Sequence, residues 1–449
     1  MITEKPKNEE EFQQYLMEIR ELAQGPFDEL QTEIEVTNKF PDEFYELAKE
    51  HNLYRFYMPE QYGGWGLSTL EIMKVQEEFS RGPGGMRMHL HHAAGLNWRI
   101  MDDFAQPELK EWAMPRFQDK TLFVNFALTE KEAGSGADIK TSAVRDGDEW
   151  VINGEKTLIS HTDCSDGTYL ITLTDPDADK DKRLTAFFVP TDTPGYEIVD
   201  MPHMMGCRGA GHAGLRFTDC RVPDRYRLGE VGEGLHVAMY SLGLSRLHIA
   251  DSNLGMAQRM LEMSIARAKE RITFGKPLIK RQAIQTMIAE SGKWIYLLRS
   301  AIHDAARRYD AGEDPMTQAS LCKLASIDTV KIVSDNMLEI LGGIGYFEEC
   351  EYGPAERLYR DCRAMWLEEG PPSVQRTTAG QMEDDATGNA STTASRVAAS
   401  PSQAARRALM PASSETTTAR MGRPLSSVFM VSPGYSVIWL LVLPTKPRP

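Results

Sequence analysis

Residues 356–375 read ERLYRDCRAMWLEEGPPSVQ, and this stretch decides how the rest of the chain is read. Arg357, Arg360 and Arg363 recur on one side of a short helix. Glu368 and Glu369 follow, set against Gly370 and a Pro-Pro pair. Proline lacks an amide donor and restricts the residue before it, so Pro371 and Pro372 are expected to stop the helix. A carboxylate beside such a break can be presented into a cavity rather than along a solvated face. The alternative is an Arg/Glu-rich helix end on the surface.

The whole chain sets limits on the function. Its 449 residues allow a large core and two or three domains. A formal charge of -15 argues against generic nucleic-acid binding and against a polybasic membrane surface. An anionic substrate then needs a local basic site. Cys164, Cys207, Cys220, Cys322, Cys350 and Cys362 are scattered, with no Cys-x-x-Cys pair, which disfavours a zinc knuckle or a disulfide scaffold. The opening MITEKPKNEEEFQQYL is charged and lacks the apolar core of a signal peptide. No apolar run reaches the roughly 20 residues that span a bilayer. The expectation is a cytoplasmic enzyme without stable membrane insertion.

The 356–375 stretch resembles the end of acyl-CoA dehydrogenases, where a basic helix leads to a Glu-Gly pair, a polar turn and Ile-Gln. The resemblance makes Glu369 the catalytic base, Gly370 its partner at the substrate, and Val374-Gln375 the close of the motif. Pro371-Pro372-Ser373 depart from the family's usual small polar residues. Further motifs follow the same order along the chain. MPEQYGGWGLS at 58–68 is a glycine-rich tight loop and resembles the family's Pro-Glu-x-Tyr-Gly-Gly-x-Gly signature. TEKEAGSGADIKTSA at 129–143 can form a nest of backbone donors for anionic oxygens. It resembles a segment that implies Thr129 as a flavin contact and Ser135 as the ligand-facing serine. Lys131 and Gly136 replace the usual proline and aspartate.

Asn153-Gly154, flanked by EWVI and KTLI, is the strongest local signal for a hairpin turn. In the family a Trp and a Thr follow this pair and touch the flavin ring. Here they are Leu158 and Ser160, so the hydroxyl stays and the indole is lost. MMGCRGAGHAGLRFTDCRVP at 204–223 resembles the Met-Gly-x-Arg segment, with Gly206 and Arg208 matching. SRLHIADS at 245–252 places Arg246 where the family has an arginine near CoA. Some branches draw their base from the residues just before it, but Gly243, Leu244 and Ser245 offer none. ERITFGKPLIKRQAIQ at 270–285 resembles the motif whose arginine pairs with FAD pyrophosphate, commonly on a neighbouring subunit. It implies Arg271, Phe274 and Gln282 as cofactor contacts, and arginine suits phosphate because its planar donors engage two oxygens. Glu339-Ile-Leu-Gly-Gly-Ile-Gly-Tyr346 implies Glu339, Gly342 and Gly343 as further contacts, with Glu339 in place of the usual glutamine.

The implied fold class is α+β. A helical N-terminal domain spans 1–120, a central β domain 121–228, and a four-helix bundle 229–378. A Ser/Thr/Ala-rich, low-complexity tail at 379–449 is expected to be disordered. Its apolar VIWLLVL at 437–443 either docks weakly or lies outside the ancestral reading frame. The implied function is FAD-dependent α,β-dehydrogenation of an acyl-CoA to a trans-2-enoyl-CoA in fatty acid metabolism. Electrons pass to an electron-transfer flavoprotein, and the enzyme is a homotetramer or dimer. A flavin monooxygenase, an acyl-CoA reductase or eliminase, and a non-catalytic protein of the same fold stay open. His89, His91 and His92 in RGPGGMRMHLHHAAG raise a metal site, but no acidic partner is fixed by sequence, so no metal is assigned. They either pack or, with Met86, Met88 and Leu90, line the acyl pocket and favour short, medium, branched or polar acyl groups.

Overall fold

The computed structural model describes residues 2, 4–134, 136 and 138–386, excepting side chains from 381 onward. Ser135 and residues 387–449 of the expected tail lie outside these residues, whereas 379–386, expected to belong to the disordered tail, are helical. Seven helices lead the chain: α1 (Glu9–Gln24), α2 (Pro26–Thr37), α3 (Asp42–Glu50), α4 (Thr69–Phe79), α5 (Gly84–His92), α6 (Trp98–Phe104) and α7 (Pro107–Gln118). Phe12, Tyr15, Leu16, Ile19 and Leu22 form the buried stripe of α1, as their spacing dictates. Ser68 and Glu71 cap the start of α4 reciprocally. Between α5 and α6 the chain makes a π-helical turn at Ala93–Asn97.

Eight strands follow: β1 (Val124–Ala127), β2 (Ser142–Asp146), β3 (Glu149–Ile159), β4 (Gly167–Leu173), β5 (Leu184–Pro190), β6 (Tyr196–Val199), β7 (Ala213–Pro223) and β8 (Arg227–Leu228). They form an eight-stranded sheet in the order β6-β7-β3-β2-β4-β5-β8, with β1 parallel to β4. Its own core gathers Trp150, Ile152, Phe187, Leu215, Phe217 and Val222. The hairpin turn is not at Asn153-Gly154. It is at Gly147-Asp148, where β2 and β3 close on Asp146↔Glu149 and Gly147 has φ 66. Asn153 and Gly154 instead sit inside β3, at a register break against β7. Asn153 pairs with Asp219 across the break, accepting from its backbone N–H at 2.9 Å. A Cβ at Gly154 would stand 2.6 Å from the Thr141 Cα, so glycine is needed here for close approach rather than for a turn.

The chain returns to helices with α8 (Gly234–Glu270), which is 37 residues long. A small ribbon, β9 (Ile272–Thr273) and β10 (Lys276–Pro277), leads to α9 (Gln282–Asp310), α10 (Met316–Leu341), α11 (Ala355–Ala364) and α12 (Pro372–Ala386). Helices α8, α9 and α10 pack on one another, and α12 closes against α10. Helix α4 lies against both α8 and α9, so one continuous core joins the first and last helical parts. Among the described residues no helix is long and apolar enough to cross a membrane.

The helix in the 356–375 stretch ends at Ala364, before the prolines. Pro371 and Pro372 instead begin α12, where a missing N–H costs nothing because the first turn has no acceptor for it. Arg357, Arg360 and Arg363 are tied into the structure. Arg357 and Arg259 share Asp28, Arg360 spans Glu356 and the Met205 carbonyl, and Arg363 meets Asp335. Asp28 therefore joins α2, α8 and α11. Replacing Asp28 by alanine should leave two largely buried guanidinium groups uncompensated and cost about 3 kcal/mol. In thermal unfolding of the cofactor-loaded protein this should appear as a drop of several degrees. An unchanged midpoint would contradict it.

Candidate active site

Between α11 and α12 the chain turns through Glu368, Glu369 and Gly370. Glu369 has φ 52 and Gly370 φ 102. The left-handed region is uncommon for a residue with a Cβ and persists where surrounding contacts enforce it. Those contacts are visible. Lys323, in the first third of α10 and fully buried, donates to the Glu368 carbonyl and, at 2.7 Å, to the Gly370 carbonyl. Gln375 on α12 donates to the Glu369 carbonyl at 2.8 Å. At φ 102 Gly370 holds a backbone conformation that favours glycine, and a Cβ there would also press on that same amide at 2.8 Å.

The two oxygens of the Glu369 carboxylate differ. Oε1 accepts a hydrogen bond from the Ser245 hydroxyl on α8. Oε2 is buried and has no partner. Burial pushes the carboxyl up to about 7, and the Glu368 charge adds to this. The Ser245 hydroxyl, Lys323 and Arg246 act in the opposite direction. Lys323 is pulled down to about 8 by burial, against the attraction of Glu369 and Glu368. Arg246 is 3% exposed, with Nη1 3.4 Å from the Ser320 hydroxyl and an unpartnered Nε. The site thus holds a carboxyl whose affinity for a proton is raised by burial, with one oxygen anchored on Ser245 and the other without a partner.

The three clustered histidines separate. His89 meets the Tyr54 hydroxyl at 3.0 Å and stacks on Phe123, and His92 meets the Val124 carbonyl at 3.1 Å. Only His91 reaches the site, through Ser245 at 2.8 Å. Nitrogens of His89 and His161 and the Cys164 sulfur lie within 4.8 Å of one another. The Lys120 ammonium lies over the Tyr45 and Phe123 rings; burial lowers both histidines' affinity for a proton, and the Lys120 charge adds to it. The same charge disfavours a metal cation.

The positions expected for a flavin occupy two surfaces. The first is at the sheet. Leu158 has φ 58 and is 59% exposed, and the Ser160 hydroxyl lies 3.0 Å from His212 Nε2. The Thr129 carbonyl accepts from Thr157 N at 2.9 Å, which ties the Thr129 loop to β3. Beneath it Lys156 is buried against Glu130 at 2.9 Å, and Glu130 also accepts from Lys140 N and Thr141 N. The second surface is on the bundle. Arg271, Phe274, Gln282, Glu339, Gly342 and Gly343 are all exposed, and Phe274 is 96% exposed with φ 49. Space is open where a Cβ would stand at Gly342 and Gly343. None of these six is hydrogen-bonded to the Glu369 cluster among the described residues. An uncovered apolar side chain beside a hydroxyl, and elsewhere an exposed guanidinium beside an uncovered ring and open glycines, suit a flavin ring and a dinucleotide tail. The donor set therefore fits FAD.

Sequence reasoning did not single out Lys323, Glu130 or Lys156. A lone lysine in the small and apolar run ASLCKLASI was the available signal for Lys323. Arg87 and His91, four residues apart on α5, were another.

Three family models match the chain: the acyl-CoA dehydrogenase N-terminal domain at 9–120, the middle domain at 125–220 and the C-terminal domain at 232–382. The chain is 32% identical over 370 residues to the human short-chain specific mitochondrial acyl-CoA dehydrogenase, covering 82% of this chain and 88% of the relative. It is 31% identical to an NADH-dependent acryloyl-CoA reductase of Anaerotignum propionicum, covering 80% and 90%. Among solved structures it is similar to butyryl-CoA dehydrogenase of Megasphaera elsdenii, with a TM-score of 0.78 and 27% identity over 83% of this chain and 97% of that one.

The anchored, buried carboxylate carries a prediction independent of any substrate. The infrared band of a protonated carboxyl that is lost in Glu369→Gln should titrate between about pH 6 and 8. Titration in the usual range near 4.5 would contradict the burial described.

Proposed function

The chain belongs to the acyl-CoA dehydrogenase family, and on that premise we propose that Glu369 removes the α proton of an acyl-CoA thioester. The protein is an oxidoreductase, and its cofactor is FAD. The observation that carries the proposal is the asymmetry of the Glu369 carboxylate: Ser245 holds one oxygen, and the other is buried and unpartnered.

The protein's own groups account for the proton step. Oε2 accepts the α proton while Oε1 stays on Ser245, so the carboxylate need not rotate. Lys323 keeps the turn, and with it the carboxylate, in one place. Burial raises the base toward the operating pH, which strengthens its hold on a proton taken from carbon. FAD, when bound, would supply the hydride acceptor that α,β-dehydrogenation to a trans-2-enoyl thioester requires. Leu158, Ser160 and Thr129 would bear on the flavin ring. Arg271, Phe274, Gln282, Glu339, Gly342 and Gly343 would hold a dinucleotide tail, in part across a subunit boundary. Arg246 would stand near the CoA portion.

The reverse direction uses the same groups, because a carboxyl titrating near neutrality can also give its proton back. Relatives named as an acryloyl-CoA reductase and as a subunit of a caffeyl-CoA reductase complex make that the second reading. We further propose an electron-transfer flavoprotein as acceptor, a homo-oligomer, and a cytoplasmic location. The exposed Phe274, Tyr296, Leu297 and Tyr346 of the bundle favour cover by a second copy.

Glu369→Gln should retain yellow FAD yet lose anaerobic bleaching by acyl-CoA, and a variant that bleaches at the wild-type rate would contradict the assignment. In wild type, kcat/KM should rise with pH along a limb near 7, since only the ionised carboxylate accepts the proton. A series from C4 to C20 with one branched and one polar acyl group should peak at short, medium or branched chains. A maximum at C16 or beyond would contradict the size preference.

A further inference from the structure

We propose that Ser245 and His91 act as positioning residues for Glu369, forming with Arg87 a directed chain of hydrogen bonds that fixes the orientation and the proton affinity of the base. The inference rests on Glu369 being the base.

The direction of the chain follows from donor and acceptor chemistry. Arg87 is fully buried on α5, and a guanidinium can only donate. Its Nη1 lies 3.4 Å from His91 Nδ1, which must therefore accept. Burial holds the His91 imidazole neutral, so its single proton is on Nε2. Nε2 lies 2.8 Å from the Ser245 hydroxyl and donates to it. The Ser245 hydrogen is then committed to Glu369 Oε1. With the tautomer assigned from the network in this way, each hydrogen bond along the chain has one direction. A hydroxyl locked as a donor favours the carboxylate over the carboxylic acid. A free hydroxyl could turn and accept instead.

The surroundings explain why the chain is needed. Glu369 faces Ser245 and Arg246 on α8, Lys323 on α10, and Gln375 on α12. Its neighbour Glu368 lies 3.5 Å from the Arg87 Nη2, so one arginine serves both the acid beside the base and the chain behind it. His212 faces Glu368, and His248 stacks on His91 at 5.5 Å between centroids. His248 is itself fixed through Nδ1 on the Gln76 side chain, 2.5 Å away. Without the Ser245 donor, burial and the Glu368 charge would act on the base with less opposition.

The test compares cofactor-loaded wild type, Ser245→Ala, Ser245→Thr, His91→Phe and Glu369→Gln. The rate of anaerobic FAD bleaching is read from pH 5.5 to 9.5 with the best acyl-CoA of the C4–C20 series. Loss of a hydrogen bond to a charged group should move the acid limb of Ser245→Ala up by about one pH unit. The rate near pH 6.5 then falls about tenfold and recovers at high pH. His91→Phe should move the limb in the same direction by less, and Ser245→Thr should leave it in place. A uniform slowing at every pH, or an unmoved limb in both Ser245→Ala and His91→Phe, would overturn the proposal. If Ser245→Ala does not hold FAD, His91→Phe decides by the same criterion. Bleaching in Glu369→Gln at the wild-type rate would overturn the base assignment and the chain with it. An inactive Glu369→Gln beside an unmoved limb would overturn the chain alone.

Discussion

One buried ammonium group holds the active-site turn in place. Lys323 comes from the first third of α10 and donates to the carbonyls of Glu368 and Gly370, on either side of Glu369. Burying an ammonium is costly, and here the cost is offset by two carbonyl oxygens and the attraction of two carboxylates. In exchange the turn is held in a conformation that Glu369 would not otherwise adopt, with φ 52. Helices α8, α10 and α12 all reach this turn, and the N-terminal helices reach it through Arg87 and His91 on α5. The bundle and the first helical region share one core, so Glu369 is set by the packing of both rather than by its own loop.

Much of this was legible in the sequence, and the failures have physical causes. The helical first part, the strand-rich middle, the helical last part and the Glu369-Gly370 pair followed from the motifs and the resemblance they carry. The hairpin at Asn153-Gly154 did not form because the pair serves a register break and a close approach to Thr141, while Gly147-Asp148 makes the turn. The Pro-Pro pair starts a helix rather than ending one, since proline is as acceptable at a first turn as after a last one. The arginines of α11 could be read as a surface helix end, because their partners Asp28, Glu356 and Asp335 are distant or ambiguous in sequence. Lys323 was invisible for a stronger reason. Its partners are backbone carbonyls 45 and 47 residues away, and no side-chain pattern encodes them.

The departures from the family pattern fall around the reaction rather than through it. Leu158 replaces an indole but keeps an exposed apolar surface on a left-handed backbone, beside a serine that keeps the hydroxyl. Ser245, in a Gly243-Leu244-Ser245 run that offers no carboxylate, turns its hydroxyl onto Glu369. The histidines of α5 are divided between core hydrogen bonds at His89 and His92 and the Ser245 hydroxyl at His91.

The central claim is that Glu369 takes a proton from the α carbon. It is tested most directly where β-hydrogen transfer cannot occur, with 3,3-dimethylbutyryl-CoA, which has α hydrogens and none on the β carbon. In deuterium oxide the FAD-loaded wild type should exchange the α hydrogens, followed by mass spectrometry, and Glu369→Gln should not. Equal exchange by the two proteins, each with full FAD, would contradict the account.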